Sequence, residues 1–292
     1  MNNINKVTFI GFGLINSSLA QVFKSKSLAK QICAFSRREE TRDKITKLNI
    51  VDIIYDDVVN SVKNADLIVL GIPVGAMENI ISEIASSLKS GAIITDVGSI
   101  KKNIMKSILS KLPNDVYFVP GHPIAGTENS GPEAGFAELF KGRWCILTPD
   151  KNTSKIALET VKFIWQEAGM QVAIMDAEYH DRVLAITSHI PHLVAFSIVG
   201  TVTELEDQLK TEVIKYSAGG FRDFTRIAAS DPIMWRDVFL NNSDAVLEML
   251  GRFIEDLTAL QKSIRWQDGE SLEKLFTKTR EIRKSIISEE QD

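Results

Sequence analysis

The 292-residue sequence predicts an α/β chain: a doubly wound parallel sheet in its N-terminal part and an all-α C-terminal domain. Three observations predict it. Short apolar runs alternate with helix-spaced segments through residue 174, a Gly-x-Gly turn follows the first run, and from Asp176 onward the pattern is almost wholly helical. Strands alternating with helices imply parallel strands joined by helical crossovers.

The strands are expected at Lys6–Ile10, Gln31–Phe35, Asp66–Ile72, Ala92–Thr95 and Val116–Val119. Each is apolar on successive positions, which is how strands covered on both faces read. Helical spacing fills Ser17–Phe23, Glu39–Leu48, Ala76–Leu88 and Ile100–Leu112 between them. Two further apolar runs, Trp144–Thr148 and Gln171–Ala173, flank a helix over Ser154–Ala168 and close the α/β domain. Long helices are then expected over Glu178–Val202, Glu206–Ala218, Pro232–Ser263 and Asp268–Ile287. The stretch Pro232–Ser263 is too long for a typical helix inside one domain, which points to a helical domain that packs on a copy of itself. The expected division is 1–174 and 175–292.

Hydrophobic residues make up 44% and charged residues 25%, the balance of a globular protein, and the formal net charge is only −4. Neither nucleic acid nor a membrane surface is an expected partner, so an anionic substrate must be held by local Arg, Lys or helix ends. Cys33 and Cys145 lie in apolar stretches and read as buried reduced thiols, with no Cys/His spacing for zinc. The N-terminus runs into a strand without a signal-peptide pattern, and no run of about eighteen apolar residues is expected to span a membrane. A cytoplasmic protein is the expectation.

After the first strand comes Gly11-Phe12-Gly13-Leu14-Ile15-Asn16-Ser17-Ser18. Strand, Gly-x-Gly turn and amphipathic helix form the start of a Rossmann-like dinucleotide unit: Gly11 allows the tight turn, Gly13 lets the backbone approach a pyrophosphate, and free N–H groups at the helix start bind it. Asn16 stands where a third Gly or Ala usually allows close helix–strand packing, so the helix is expected to stand slightly farther off. The second strand ends in Ser36-Arg37-Arg38 where an NAD-preferring site carries an acid for the ribose hydroxyls. A carboxylate would repel a 2′-phosphate whereas Ser and Arg would bind it, which favours NADP over NAD. The alternative is that Arg37 and Arg38 are solvated residues opening the next helix. Leu14, Ile15, Ile72 and Pro73 complete the expected cofactor-binding set.

His122, in Gly121-His122-Pro123, lies just past a strand's C-terminal end, the edge where open α/β sheets bind ligands. The following Pro keeps its backbone extended and so fixes the ring's direction. In Ser188-His189-Ile190-Pro191-His192 the two histidines share a helix face, with Pro191 marking a kink or a helix start. No acid or third histidine near them completes a metal set. His180 reads as a helix-surface residue. The run Gly219–Pro232 reads as a charged break between helices, with two arginines and two acids after paired glycines, able to hold an anion.

With Gly11-Phe12-Gly13-Leu14-Ile15, Asp96-Val97-Gly98-Ser99-Ile100-Lys101, His122-Pro123-Ile124-Ala125-Gly126-Thr127-Glu128, Ser188-His189-Ile190-Pro191-His192 and Phe224-Thr225-Arg226-Ile227-Ala228 in this order, the sequence resembles the prephenate and arogenate (cyclohexadienyl) dehydrogenases over nearly its whole length. The resemblance implies a helical domain that builds a homodimer and an oxidative decarboxylation of prephenate or arogenate on the route to tyrosine, with hydride passing to NAD(P). It implies His122 as catalytic residue, Ser99 as hydrogen-bond partner of the reacting hydroxyl or of His122, and Arg226 on the ring carboxylate. His189 and His192 would line the side-chain pocket, and Glu128, Asp223 and Trp235 would stand near it. The chemistry agrees: it needs one general base, a hydride acceptor and cationic sites for two carboxylates, and no metal. Rival readings are a β-hydroxyacid dehydrogenase or pyrroline-carboxylate reductase type, which place Lys or Ser/Thr in the helical domain, and a non-catalytic nucleotide-sensing dimer. Release of CO2 together with reduced cofactor separates them.

Overall fold

A computed structural model of the chain describes residues 4–127, 129–204, 212, 215–216 and 219–288. Strands β1 (Ile4–Ile10), β2 (Ala29–Phe35), β3 (Ile53–Tyr55), β4 (Leu67–Leu70), β5 (Ile93–Asp96) and β6 (Tyr117–Val119) form one sheet in the order β3-β2-β1-β4-β5-β6. All neighbours are parallel. Apolar side chains at successive positions serve both faces. Leu67 and Val69 join Phe9, Phe23 and Trp165 in one core, whereas Ile68 and Leu70 join Ile10, Met77 and Ile81 in the other. Truncating a fully buried side chain such as Ile68 to Ala costs about 2–5 kcal/mol.

The helices α1 (Leu14–Ser25), α2 (Glu39–Leu48), α3 (Val58–Val62), α4 (Val74–Ile84) and α5 (Lys102–Leu109) make the crossovers. The chain winds outward on one side of β1 and returns to lay β4 against its other side, so the β1–β4 junction is the topological switch point where such sheets bind ligands. The strand β3 and the short helix α3 were not expected: β3 is a partly exposed edge strand flanked by acids, and α3 is too short to show helical periodicity.

Pro120 lacks an N–H and follows the last residue of β6, after which β7 (Gly121–Pro123) starts a second sheet with β8 (Trp144–Leu147) and β9 (Gln171–Ile174). β7 runs antiparallel to β8, with His122 opposite Ile146, and β8 runs parallel to β9 across α6 (Lys155–Glu167).

The helical part begins at α7 (Ala177–Leu184), capped by Asp176, whose carboxylate accepts from the N–H groups of Glu178 and Tyr179. A π-turn over Ala185–His189 leads into α8 (Ile190–Thr203), with Pro191 in its first turn. The expected helix Glu206–Ala218 lies almost wholly outside the described residues.

Three expectations need correction here. Gly219 and Gly220 are themselves helical, in α9 (Gly219–Thr225), and do not break a helix. The single helix expected over Pro232–Ser263 is two, α10 (Pro232–Asn241) and α11 (Ser243–Arg265), because Asn242 leaves helical geometry at φ −115°, ψ 29°. The stretch Ala177–Val202, 26 residues with a mean hydropathy of 1.6 in its most apolar window, is long and apolar enough by length and composition to cross a membrane. Ser, Thr and His interrupt the apolar letters and hide the stretch in the sequence. Its buried His180, Asp181 and His189 hydrogen-bond to groups of the α/β part and to Asn242, which builds it into a folded unit.

Contacts divide the chain into two compact units, Met1–Ser243 and Asp244–Asp292. The first holds both sheets and the helices through α10. The second holds the remainder of α11 and α12 (Gly269–Ser288), with Leu247, Ile254, Ile264, Phe276 and Ile282 exposed on the helices and Trp266 exposed between them.

Candidate active site

The last residue of β5, Asp96, and the fifth residue after it, Lys101, are both 0% exposed. The Lys101 ammonium pairs with Asp96 Oδ2 and donates to the Gly121 carbonyl at 2.8 Å. Asp96 also accepts from the N–H of Gly98 at 2.9 Å and of Gly121 at 3.2 Å. The buried charges are thus mutually compensated and hydrogen-bonded, as burial demands. Their effect is to clamp Gly121, and with it the backbone that carries His122. An apolar run ending in Asp, with Lys five residues on, was the visible sign of this clamp.

His122 is 8% exposed, and its Nδ1 lies 2.8 Å from Nε2 of His180. His180 is not the surface residue expected but is 0% exposed, with its Nδ1 2.8 Å from Asp181 Oδ1. The signal was present: Ala177, His180, Asp181 and Leu184 repeat at helical spacing and form the buried face of α7. The Asp181 carboxylate also accepts from the N–H of Lys101 at 2.8 Å and of Lys102 at 2.9 Å, where α5 begins. A carboxylate there meets the positive end of the helix dipole.

This chain of contacts dictates proton positions. A carboxylate only accepts, so the neutral His180 ring donates Nδ1–H to Asp181 and accepts at Nε2. The partner nitrogen, Nδ1 of His122, must then carry the proton, and Nε2 of His122 holds the lone pair. Burial keeps His122 well below its ordinary pKa of 6.5, and His180 and the Lys101 charge push it the same way. Burial also lowers His180, opposed by its bond to Asp181.

A second cluster adjoins the first through Asn242. Its Nδ2 donates to the Asp181 carbonyl at 2.9 Å and lies 3.1 Å from Nδ1 of His189. His189, fully buried, is pushed by that burial down to about 4. His192 stacks on Trp235 with ring centroids 3.7 Å apart, and His189 meets Trp235 edge-on at 6.0 Å. The two histidines do share one face, as their spacing implied. Burial lowers His192, its bond to the Ser188 carbonyl opposes that, and the Arg226 charge lowers it further. Arg226 sits in a 3-10 turn, Arg226–Ala229, packed against α8. The indole Nε1 of Trp235 and Nε2 of His189 are buried and meet no acceptor among the described residues.

Ser99 is half-buried in the loop between β5 and α5, two residues before Lys101. Asp223 is exposed on α9, and Glu128 lies outside the described residues.

At the other end of the switch point, Gly11 has φ +77°, a conformation L side chains rarely adopt, and a Cβ there would lie 2.6 Å from the Gly71 carbonyl oxygen. Gly13 caps α1 without a side-chain cap, no acid stands in the first turn, and a Cβ on it would meet nothing within 4 Å. Leu14 and Ile15 begin α1, and Ile72 and Pro73 follow Gly71 in the connection from β4 to α4. Open space over uncapped N–H groups fits a pyrophosphate. Beyond β2, Arg37 and Arg38 are exposed, Arg37 lies 3.6 Å from Glu83, and the Arg42 guanidinium holds the carbonyls of Ser36 and Arg37 at 3.0 and 2.9 Å. Arg38 is the residue at which α2 starts.

Residues 19–174 match the family description "Prephenate dehydrogenase, nucleotide-binding domain", and residues 176–278 match "Prephenate dehydrogenase, dimerization domain". A cyclohexadienyl dehydrogenase of Zymomonas mobilis is 41% identical over 98% of this chain and 97% of its own length. Among solved structures, the prephenate dehydrogenase of Aquifex aeolicus in complex with hydroxyphenyl propionate and NAD+ superimposes with a TM-score of 0.90 at 34% identity, covering 97% of this chain and 99% of that one. An arogenate dehydrogenase of Synechocystis gives 0.80 at 25% identity over 96% and 99%.

Proposed function

The chain belongs to the prephenate dehydrogenase family, and from that premise we propose how its own residues carry out the oxidative decarboxylation of prephenate to 4-hydroxyphenylpyruvate in tyrosine biosynthesis. A bound nicotinamide dinucleotide supplies the hydride acceptor. His122 is the general base: its Nε2 takes the proton of the 4-hydroxyl as hydride leaves C4. The ring dienone that forms is an electron sink: CO2 departs from C1, the ring becomes an aromatic phenolate, and that oxygen takes the proton back from His122. The observation that carries this assignment is the chain from Asp181 through His180 to His122, which leaves the lone pair on Nε2 and the imidazole neutral at working pH.

Ser99, at the start of the segment that Asp181 ties down, is proposed to hydrogen-bond the reacting hydroxyl or His122. Arg226 is proposed to bind the ring carboxylate. That group is about to lose its charge, so a strong contact favours the substrate over the transition state and orients without accelerating CO2 loss. His192, His189 and Trp235 form the proposed side-chain pocket. The orphaned donors Trp235 Nε1–H and His189 Nε2–H would find acceptors in substrate oxygens. Asp223 and Glu128 complete the proposed surroundings.

Gly11, Gly13, Leu14 and Ile15 would hold the pyrophosphate end of the cofactor, with Ile72 and Pro73 alongside. Ser36, Arg37 and Arg38 would hold the adenosine ribose, and the absence of an acid among these three favours NADP over NAD. Prephenate is the first choice of substrate, with arogenate as an additional one. The proposed division of labour is 1–174 and 175–292, supported by family descriptions that end at 174 and begin at 176. A homodimer formed through the helical domain is supported by the apolar side chains exposed on α11 and α12. A cytoplasmic location suits a biosynthetic enzyme of this kind.

The test is a two-by-two assay, prephenate and arogenate against NAD+ and NADP+, reading reduced cofactor and CO2 together. Equal release of both from prephenate, fastest with NADP+, is the expected result. Reduced cofactor without CO2 would return the reading to a hydroxyacid dehydrogenase, and binding without turnover to a nucleotide sensor.

A further inference from the structure

Asn16 takes the place of the third glycine, and a glycine across the switch point leaves room for its side chain. Asn16 is 1% exposed. Its Nδ2 lies 2.7 Å from the Gly11 carbonyl oxygen, 3.3 Å from that of Val69 and 3.4 Å from that of Ile10. Three acceptors around one atom identify it as the donor end of the amide. The space comes from across the switch point: a Cβ on Gly71 would lie 2.3 Å from that nitrogen and 2.5 Å from Cγ. The Gly71 N–H in turn donates to the Ile10 carbonyl at 2.8 Å.

We infer that Asn16 is a positioning residue for the dinucleotide, its amide pinning the phosphate turn to the ends of β1 and β4, and that Gly71 is the matched partner without which the amide does not fit. Gly11 is held on both sides. Its N–H donates to the Phe35 carbonyl at 3.1 Å, and its carbonyl accepts from Asn16. Because the next peptide is planar and trans, fixing the Gly11 carbonyl also fixes the Phe12 N–H, which points the opposite way. Without the amide this turn must be ordered when the ligand arrives, and binding weakens by that ordering cost. The inference rests on the reading of this turn as the dinucleotide site.

The experiment measures equilibrium binding of NAD+ and NADP+ to the full chain by calorimetry. It compares wild type, Asn16→Ala, Asn16→Asp, Gly71→Ala and the double variant Asn16→Gly/Gly71→Ala, with melting curves and the KM for each substrate. Asn16→Ala is expected to weaken dinucleotide binding roughly 10-fold, the scale of one residue's backbone ordering, with kcat and the prephenate KM within about twofold. Asn16→Asp keeps the volume but turns an acceptor toward three carbonyls, and is expected to weaken binding at least as much. Gly71→Ala alone is expected to melt lowest, and the double variant to recover the melting temperature and bind like Asn16→Ala. Wild-type affinity in both Asn16 variants, or a double variant no better than Gly71→Ala, overturns the inference. A wild-type protein that binds neither dinucleotide overturns instead the reading on which it rests.

Discussion

Replacing His180 by Phe tests the proton logic of the site at its middle link. The ring of His180 offers Nε2 as acceptor to the Nδ1–H of His122 at 2.8 Å, in a setting where His180 is wholly buried and His122 nearly so. Phe keeps a ring there and removes the acceptor. A buried donor left without a partner costs about 1–3 kcal/mol. His122 can escape that cost by moving its proton to Nε2, which abolishes the base. The competent tautomer is therefore depleted roughly 5- to 150-fold, and kcat should fall by that factor. His180→Gln places an amide oxygen where Nε2 stood and should recover most of the loss. Steady-state kinetics give the rates, and nitrogen chemical shifts of labelled imidazoles give the tautomer of His122 directly. Full activity in His180→Phe, or a glutamine variant no better than the phenylalanine one, would refute the reasoning.

Arg226→Ala should raise the KM for prephenate roughly 10- to 100-fold, the worth of one charged hydrogen bond, with little change in kcat; steady-state kinetics decide, and a loss confined to kcat contradicts the role. Lys101→Met leaves Asp96 buried and uncompensated and should cost about 3–5 kcal/mol in denaturant unfolding, part of which Asp96→Asn/Lys101→Met should recover. The His189 pKa, held near 4 against 6.5 when unfolded, gives a stability contribution that is complete above pH 6.5 and is lost as pH falls toward 4, by about 3 kcal/mol. Unfolding free energies across that range check it, and His189→Gln should flatten the curve.

Much of the fold could be read from the chain because its parallel strands are covered on both faces. Ile68 and Leu70 serve one core and Leu67 and Val69 the other, so the run is apolar throughout and stands out. β3 is a partly exposed edge strand, β7 is Gly-His-Pro and α3 is little more than one turn, so none carries the buried apolar run that marks β4 and β5. The interruption at Asn242 was hidden for another reason: its cause is a side chain held by Asp181 and His189, both more than 50 residues away in sequence. In the site, His122 and the His189/His192 pair carried local signatures, a strand end before proline and a helical spacing. His180 reads as a surface residue because its neighbours Tyr179 and Asp181 look polar, although its spacing to Ala177 and Leu184 puts it on the buried face. The Lys101–Asp96 clamp and the fit of Asn16 against Gly71 depend on which strand ends meet, which only the assembled sheet decides.

The pH dependence of kcat/KM for prephenate, in wild type and in His122→Asn, tests the central assignment most directly. Protonated His122 cannot accept the hydroxyl proton, so the rate must fall on the acid side. Burial, His180 and Lys101 all shift that fall to lower pH. The account predicts a single acid limb with an apparent pKa below 6.5 in wild type, and in His122→Asn a rate roughly 10²–10⁴-fold lower with that limb gone. An acid limb that persists unchanged in His122→Asn, or one that lies above 6.5 in wild type, would contradict it.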